Sequence, residues 1–167
     1  MNFQAINGDL ISLAHRGDFE LIAHGCNCFH VMGAGIAKAI SFAWPEALEA
    51  DKSQSKRGDL GKLGTFSLAE VRNAKSEKLL IANLYTQYKW GRPDSSDYDS
   101  AESRVRYIKT AFTSLADYIN KTKLPNVRIG LPLIGCGLAG GKWATIEPII
   151  KETLSRCNGT TTIVHYC

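Results

Sequence analysis

Twice in this chain an apolar, strand-like run ends in a glycine-rich stretch, and a helix-like segment follows. The first run is Glu20-Leu21-Ile22-Ala23-His24. It passes through Gly25-Cys26-Asn27-Cys28-Phe29-His30-Val31-Met32-Gly33-Ala34-Gly35 into a segment from Ile36 to about Phe42. The second is Val127 to Leu133, followed by Gly135-Cys136-Gly137-Leu138-Ala139-Gly140-Gly141 and a segment from about Thr145 to Arg156. A glycine-rich turn that runs into a helix N-terminus bares backbone N–H groups, and the helix dipole adds partial positive charge there. Two such turns in one α/β chain can grip a diphosphate from both sides. In open α/β sheets, ligands sit beyond the carboxyl ends of strands, where both turns fall. Neither turn is a nucleotide fingerprint. No G-x-x-x-x-G-K-[ST] occurs, and Lys38 stands where G-x-G-x-x-G needs its last glycine.

The rest of the chain keeps the alternation. Phe3 to Ile6 reads as a short strand and Leu10 to His15 as one or two helical turns. Pro45 interrupts the helix after Gly35, and a second helix runs from Glu46 to about Lys56. Thr65 to Val71 and Leu79 to Tyr85 read as strands joined by a hairpin-like Asn73-Ala74-Lys75-Ser76. Tyr88 to Ser100 is a polar surface loop. Asp99 and Glu102 form a capping-box-like start. Val105, Ile108, Phe112, Leu115 and Ile119 then recur at steps of three and four, the spacing of one buried helix face. Pro148 is tolerable in the last helix if Thr145 is its N-cap, because Pro148 then falls in the first turn. Thr160 to Tyr166 is β-branched and closes the chain as a strand. Strands alternating with helices imply a sheet covered on both faces.

Composition sets the outer limits. The chain's 167 residues fit a single domain spanning 1–167. No apolar run reaches the roughly 18 residues of a membrane helix, and Met1-Asn2-Phe3-Gln4 lacks the basic start of a secretory signal. The net charge of +4 suits an anionic ligand and is too small to argue for nucleic-acid binding by itself. Five cysteines, an odd number, point to reduced thiols and a cytoplasmic setting. Cys26, Cys28 and His30 lack the second ligand pair of a zinc site, so no metal is expected there, and no cofactor.

Four spaced pieces together resemble the macrodomain family of ADP-ribose-binding modules. They are Asn7-Gly8-Asp9-Leu10, the strand end His24-Gly25-Cys26-Asn27, Gly33-Ala34-Gly35-Ile36-Ala37-Lys38-Ala39-Ile40, and Pro132-Leu133-Ile134-Gly135-Cys136-Gly137-Leu138. The resemblance covers essentially the whole chain. It implies a three-layer α/β/α fold with a central mixed sheet. It implies ligand contacts from Asp9 at the adenine, from Leu10, from Asn27 at the distal ribose, and from two diphosphate loops. Gly33, Ala34, Gly35 and Ile36 form the first loop, and Gly135, Cys136, Gly137 and Leu138 the second. Tyr85, Tyr88 and Trp143 are the candidates for a stacking aromatic.

The branch of the family sets the expected activity. The His24-Gly25-Cys26-Asn27-Cys28 run is similar to that of yeast-type ADP-ribose-1″-phosphate phosphatases. The segment around Met32 to Ala37 is similar to that of terminal ADP-ribose protein glycohydrolases. Those glycohydrolases use a lysine after the fourth strand and an aspartate in the second loop. The positions fall on about Gln87 and on Ala139, with Lys89 two residues out of register. The expected activity is therefore metal-independent hydrolysis of ADP-ribose-1″-phosphate. Removal of ADP-ribose from protein or nucleic acid is one alternative, and a non-catalytic ADP-ribose reader is another. Asn27, His24 and His30 are the catalytic candidates, with either histidine as acid or base. Arg92 and Lys89 are candidates for meeting a terminal phosphate.

Overall fold

The computed structural model describes residues 1–166, so Cys167 lies outside the described residues. Six strands and five helices alternate. They are β1 (Asn2–Asn7), α1 (Leu10–Arg16), β2 (Leu21–Cys26), α2 (Gly35–Ala43), α3 (Glu46–Gln54), β3 (Phe66–Arg72), β4 (Lys78–Tyr85), α4 (Ala101–Lys121), β5 (Val127–Leu131), α5 (Trp143–Leu154) and β6 (Gly159–His165). The strands form one sheet in the order β1-β6-β5-β2-β4-β3. Every neighbouring pair is parallel except β3 and β4, which form an antiparallel hairpin. The sheet is mixed and covered on both faces.

Period-two alternation sorts the core into two layers. Leu21 and Ala23 of β2, with Leu80, Ala82 and Leu84 of β4, join Ile108, Phe112 and Leu115 of α4 and Ile146 and Ile150 of α5. Ile22, with Leu79 and Ile81, faces Leu10, Ile40, Trp44 and Ala47 from α1 to α3. The side chains of β1 remain largely exposed, as suits an edge strand.

Two helix starts differ from the sequence reading. Ser100, not Asp99, caps α4, and its side chain accepts from Ser103 N. Asp99 is instead buried, where it accepts from Arg104 Nε at 2.9 Å and from the N–H groups of Tyr88 and Lys89. Helix α5 begins at Trp143 with Lys142 as its cap, so Thr145 is not the N-cap and Pro148 lies beyond the first turn. The apolar pattern sees neither difference, because both caps are set by where the preceding loop delivers the chain.

Candidate functional site

The carboxyl ends of β1, β2, β4, β5 and β6 all open on one side of the sheet, and a groove runs across them. Its larger part, about 920 Å³, lies between Asn27–Ala37 and Pro132–Ala139. A second part, about 600 Å³, continues over Asp9, Leu10 and Val164 and shares Gly35, Ile36, Pro132 and Leu133 with the first. The groove is therefore long and narrow, with Asp9 at one end and Gln87, Trp90 and Arg92 at the other.

The first loop closes on a side chain. Asn27 Oδ1 accepts from Phe29 N at 2.9 Å and Val31 N at 3.4 Å, while Nδ2 donates to Val31 O at 2.9 Å. One Nδ2 proton remains available. The loop is tied outward by Cys28 N to Tyr88 O and by Gly58 N to Cys28 O. It ends at Gly35, which has φ +56° and opens α2. Ala34 caps that helix without a side-chain bond, so the N–H groups of Gly35, Ile36 and Ala37 have no acceptor among the described residues, and these residues line the groove.

The second loop closes on itself. Cys136 N donates to Leu133 O, Gly140 N to Gly137 O and Gly141 N to Gly135 O. Between these bonds, the N–H groups of Gly137, Leu138 and Ala139 have no backbone acceptor among the described residues, and all three residues line the groove. Gly135 has φ +74°, and a Cβ there would stand 3.2 Å from both Ile108 and Ile146. This loop does not lead straight into a helix. Lys142 and Thr145, at the start of α5, line a separate cavity of about 290 Å³ that meets the groove at Gln87, Gly135 and Ala139. The chemistry available is thus two facing sets of backbone donors, suited to an anion.

At the other end, Asp9 caps α1 by accepting from Ile11 N and Ser12 Oγ, each at 3.0 Å. A carboxylate has about four acceptor sites, so two remain. Phe42 and Tyr166, 90% and 84% exposed, flank this end. Neither was expected. Of the aromatic candidates, Tyr85 is wholly buried, Tyr88 packs edge-on against Phe29 at 4.9 Å, and Trp143 packs on the core, so none lines the Asp9 end. Period-two parity gives Tyr85 away, since it shares a face with Leu79 and Ile81. Nothing local marks Phe42 or Tyr166, which the groove brings together from different elements.

The structure collects Asp9, Leu10, Asn27, Gly33, Ala34, Gly35, Ile36, Gly135, Cys136, Gly137 and Leu138 along the groove. It leaves out both histidines. His24 is wholly buried under α3 and bonds Asn83 Oδ1 at 2.7 Å. Asn83 Nδ2 donates to Ala47 O and Ser67 Oγ, so its oxygen faces the ring and His24 Nε2 is the donor. Burial pushes the His24 pKa down to about 4, which keeps the ring neutral near pH 7. The network continues from Ser67 through Tyr85 to Asp51, which pairs with Lys62 at 2.8 Å. His24 is therefore a core group and cannot reach a substrate. His30 has φ +57° and does not line the groove, so the geometry gives it no acid–base role there.

The thiols do not replace them. Cys136 lines the groove, but burial pushes its pKa up. Cys28 is driven to about 12 by the same cause. At the Gln87 end, Arg92 lies against Gly140 and forms no ion pair among the described residues, while Lys89 stays out of the groove. Among the described residues, no three His, Cys, Asp or Glu side chains converge as a metal site needs. No helix of the described chain is long and apolar enough to cross a membrane.

Residues 23–150 match the Macro domain family. An uncharacterized 17.5 kDa protein of Enterobacteria phage T4 is 37% identical over 151 residues, 90% of this chain and 89% of its own length. The ADP-ribose 1″-phosphate phosphatase of Candida albicans is 30% identical over 156 residues, 89% of this chain and 92% of the relative. The DNA ADP-ribosyl glycohydrolase of Mycobacterium tuberculosis is 28% identical over 143 residues, and the match covers 84% of this chain but 35% of that protein. The macrodomain of Thermus aquaticus DarG superposes with a TM-score of 0.71 at 22% identity, covering 98% of this chain and 97% of its own, which shows a shared fold.

Proposed function

This chain belongs to the macro domain family, and from that premise we propose that it binds ADP-ribose along the groove and hydrolyses ADP-ribose-1″-phosphate. One observation carries the choice of reaction. The end of the groove opposite Asp9 is lined by Asn27, Gln87, Trp90, Arg92 and Ala139, with a guanidinium and, among the described residues, no carboxylate; Glu102 lines the adjoining cavity instead. Glycosidic cleavage relies on acid and base carboxyls or their equivalents flanking the bond. A phosphate dianion asks instead for positive charge and backbone donors. Two relatives of named activity that this chain matches over about nine-tenths of both lengths are phosphatases, which supports the same choice.

In this reading Asp9 accepts from the adenine amino group. The N–H groups of 35–37 and 137–139 hold the diphosphate. The spare Asn27 donor and Gln87 meet the distal ribose, and Arg92 meets the 1″-phosphate. Water attacks phosphorus, the P–O1″ bond breaks, and ADP-ribose departs with O1″. The transition state for such transfer is loose, so positioning and charge stabilisation matter more than a strong base. The substrate's own phosphate oxygen takes one water proton and passes it to the departing O1″, since neither histidine lines the groove. The partner is thus a small nucleotide. Protein- or nucleic-acid-linked ADP-ribose is the competing substrate, and the cavity of about 290 Å³ beside Ala139 gives room for a group larger than phosphate.

Phosphate release from ADP-ribose-1″-phosphate tests the reading. The expected result is turnover that falls at least about tenfold in Arg92→Ala, the loss of a charge-assisted contact. Binding of ADP-ribose with no release above a blank would sink the phosphatase and leave a reader. Loss of label from ADP-ribosylated protein or DNA instead would favour the glycohydrolase.

A further inference from the structure

The two edges of the sheet are built differently. One edge is β3, and it is guarded. Its exposed positions carry Glu70 and Arg72, and Lys78 Nζ pairs with Glu70 at 3.1 Å. Helix α3 packs against it, and Arg72 O accepts from Trp44 Nε1 at 3.2 Å. The other edge is β1, which carries no charge over Asn2-Phe3-Gln4-Ala5-Ile6-Asn7. Phe3 is half-buried and the rest of the strand is exposed. Among the described residues, β6 is the one element that β1 packs against extensively. Charged side chains, proline and covering segments keep an edge strand from pairing with another chain. Among the described residues β1 has none of the three.

Parity fixes which backbone groups of β1 are free. Gly8 N donates to His165 O at 2.9 Å, and β1 runs parallel to β6 with Asn7 opposite His165. Successive residues of a strand turn their N–H and C=O groups to opposite sides. Asn2, Gln4 and Ile6 therefore bond β6, and Phe3, Ala5 and Asn7 face outward. No other segment of the described chain bonds these outward groups. The outward set is symmetric about Ala5. A second copy running antiparallel sets Ala5 against Ala5 and Phe3 against Asn7, and each facing pair exchanges N–H and C=O. A two-fold axis perpendicular to the sheet generates this pairing. The strand is uncharged, so no like charges meet across the axis. A peptide guest would instead need pockets beside the strand for its alternate side chains. Neither part of the groove nor the adjoining cavity reaches Asn2 to Asn7.

We propose that β1 is a homodimer interface, in which two copies pair antiparallel through Phe3, Ala5 and Asn7 and join their sheets into one. Ile6, 37% exposed, then lies against Gln4 of the other copy, a side chain already held by its bond to Thr162 Oγ1 at 2.9 Å. The strands of the two copies point opposite ways. Their grooves therefore open on opposite edges of the joined sheet, and each stays free for its ligand. The pairing is independent of the reaction proposed above.

Sedimentation equilibrium of the intact chain, from about 1 to about 500 μM, tests the pairing. The mean mass should rise from one chain to two, with half-association near about 100 μM for so short an interface. Ala5→Lys sets like charges across the axis and should weaken association at least about tenfold. Ala5→Pro removes an outward N–H, leaves the bonds to β6 whole, and should do the same. Glu70→Ala, on the guarded edge, should change nothing. Amide hydrogen exchange reads the register. Phe3, Ala5 and Asn7 should be protected at the high concentration and exchange freely at the low one, while Gln4 and Ile6 stay protected at both. A single-chain mass throughout the range overturns the proposal. So does a dimer that survives in the folded Ala5 variants, because the contact then lies elsewhere. Assemblies larger than two overturn the two-fold pairing. If circular dichroism shows that Ala5→Pro does not fold, Ala5→Lys and the exchange pattern decide.

Discussion

In the loop of residues 27–35, the Asn27 side chain bonds Phe29 and Val31 and holds the turn shut, whereas the loop of residues 132–141 closes through Gly140 N to Gly137 O and Gly141 N to Gly135 O. The first delivers its donors at a true helix N-terminus, Gly35 to Ala37. The second presents Gly137 to Ala139 as a bare backbone turn, with α5 starting only at Trp143. Both present three N–H groups to the same groove, so one sequence pattern builds two different devices. The side-chain device depends on one amide. The backbone device depends on the absence of side chains at Gly135, Gly140 and Gly141.

Substitutions separate the two, and the largest effect belongs to the backbone device. A Cβ on Gly141 would stand 2.5 Å from Gly135 O and 3.0 Å from Ile146. Gly141→Ala should cost roughly 3 kcal/mol of stability, as overpacking against backbone does. It should also weaken ADP-ribose binding at least about tenfold. Urea denaturation and titration calorimetry check both, and wild-type values would show that the loop relaxes freely.

Next comes pH, which reaches the first loop through β2. His24 in that strand has its pKa lowered to about 4 by burial. The unfolded chain, with an ordinary value near 6.5, therefore takes the proton first as pH falls. The His24 contribution is fully present above pH 6.5 and is lost as pH drops toward 4, on the order of 3 kcal/mol over the whole window. Stability measured between pH 7 and 5 should fall more steeply in the wild type than in His24→Gln; parallel curves would contradict the burial account. The Gly141→Ala penalty should not vary over this range, since no titrating side chain closes the second loop.

Asn27→Ala removes the brace of the first loop. It should lower stability by about 2 kcal/mol, the sum of a few modest hydrogen bonds, and weaken ADP-ribose binding about tenfold. Stability unchanged in denaturation would mean that the outward ties to Tyr88 and Gly58 are enough. The smallest effect is expected at Gly33, where a Cβ meets only Val31 at 3.9 Å. Gly33→Ala should stay within about 0.5 kcal/mol of the wild type, and a larger loss would mean that the first loop, too, is a backbone device.

Much of this was legible beforehand. The strand-to-glycine-to-helix pattern placed both loops, because periodicity and glycine clusters are local signals. The apolar step of three and four placed the buried face of α4. The four spaced pieces carried the family, and the groove gathers the ligand residues they implied. Roles were harder to read. His24 looked like an acid–base candidate because an imidazole titrates near neutral pH, yet alternation turns it into the layer under α3, where Asn83 waits 59 positions away. Asn27 looked like a substrate contact, and most of its amide serves its own loop. Arg104, which donates to the carbonyls of Lys89, Gly91 and Arg92 and so fixes the Trp90 loop, gave no signal at all, since its partners lie on a loop read only as polar surface.

What the sequence settled by itself were properties carried by neighbours in the chain: where strands and helices alternate, where the backbone bends at glycine, and that the two turns suit an anion. The tertiary structure decided which side chains face the groove, which acids are already engaged, and which loop meets a helix end. A β-strand sends successive residues to opposite faces, and only the packing of α1–α3 on one face and α4–α5 on the other makes His24 a buried group.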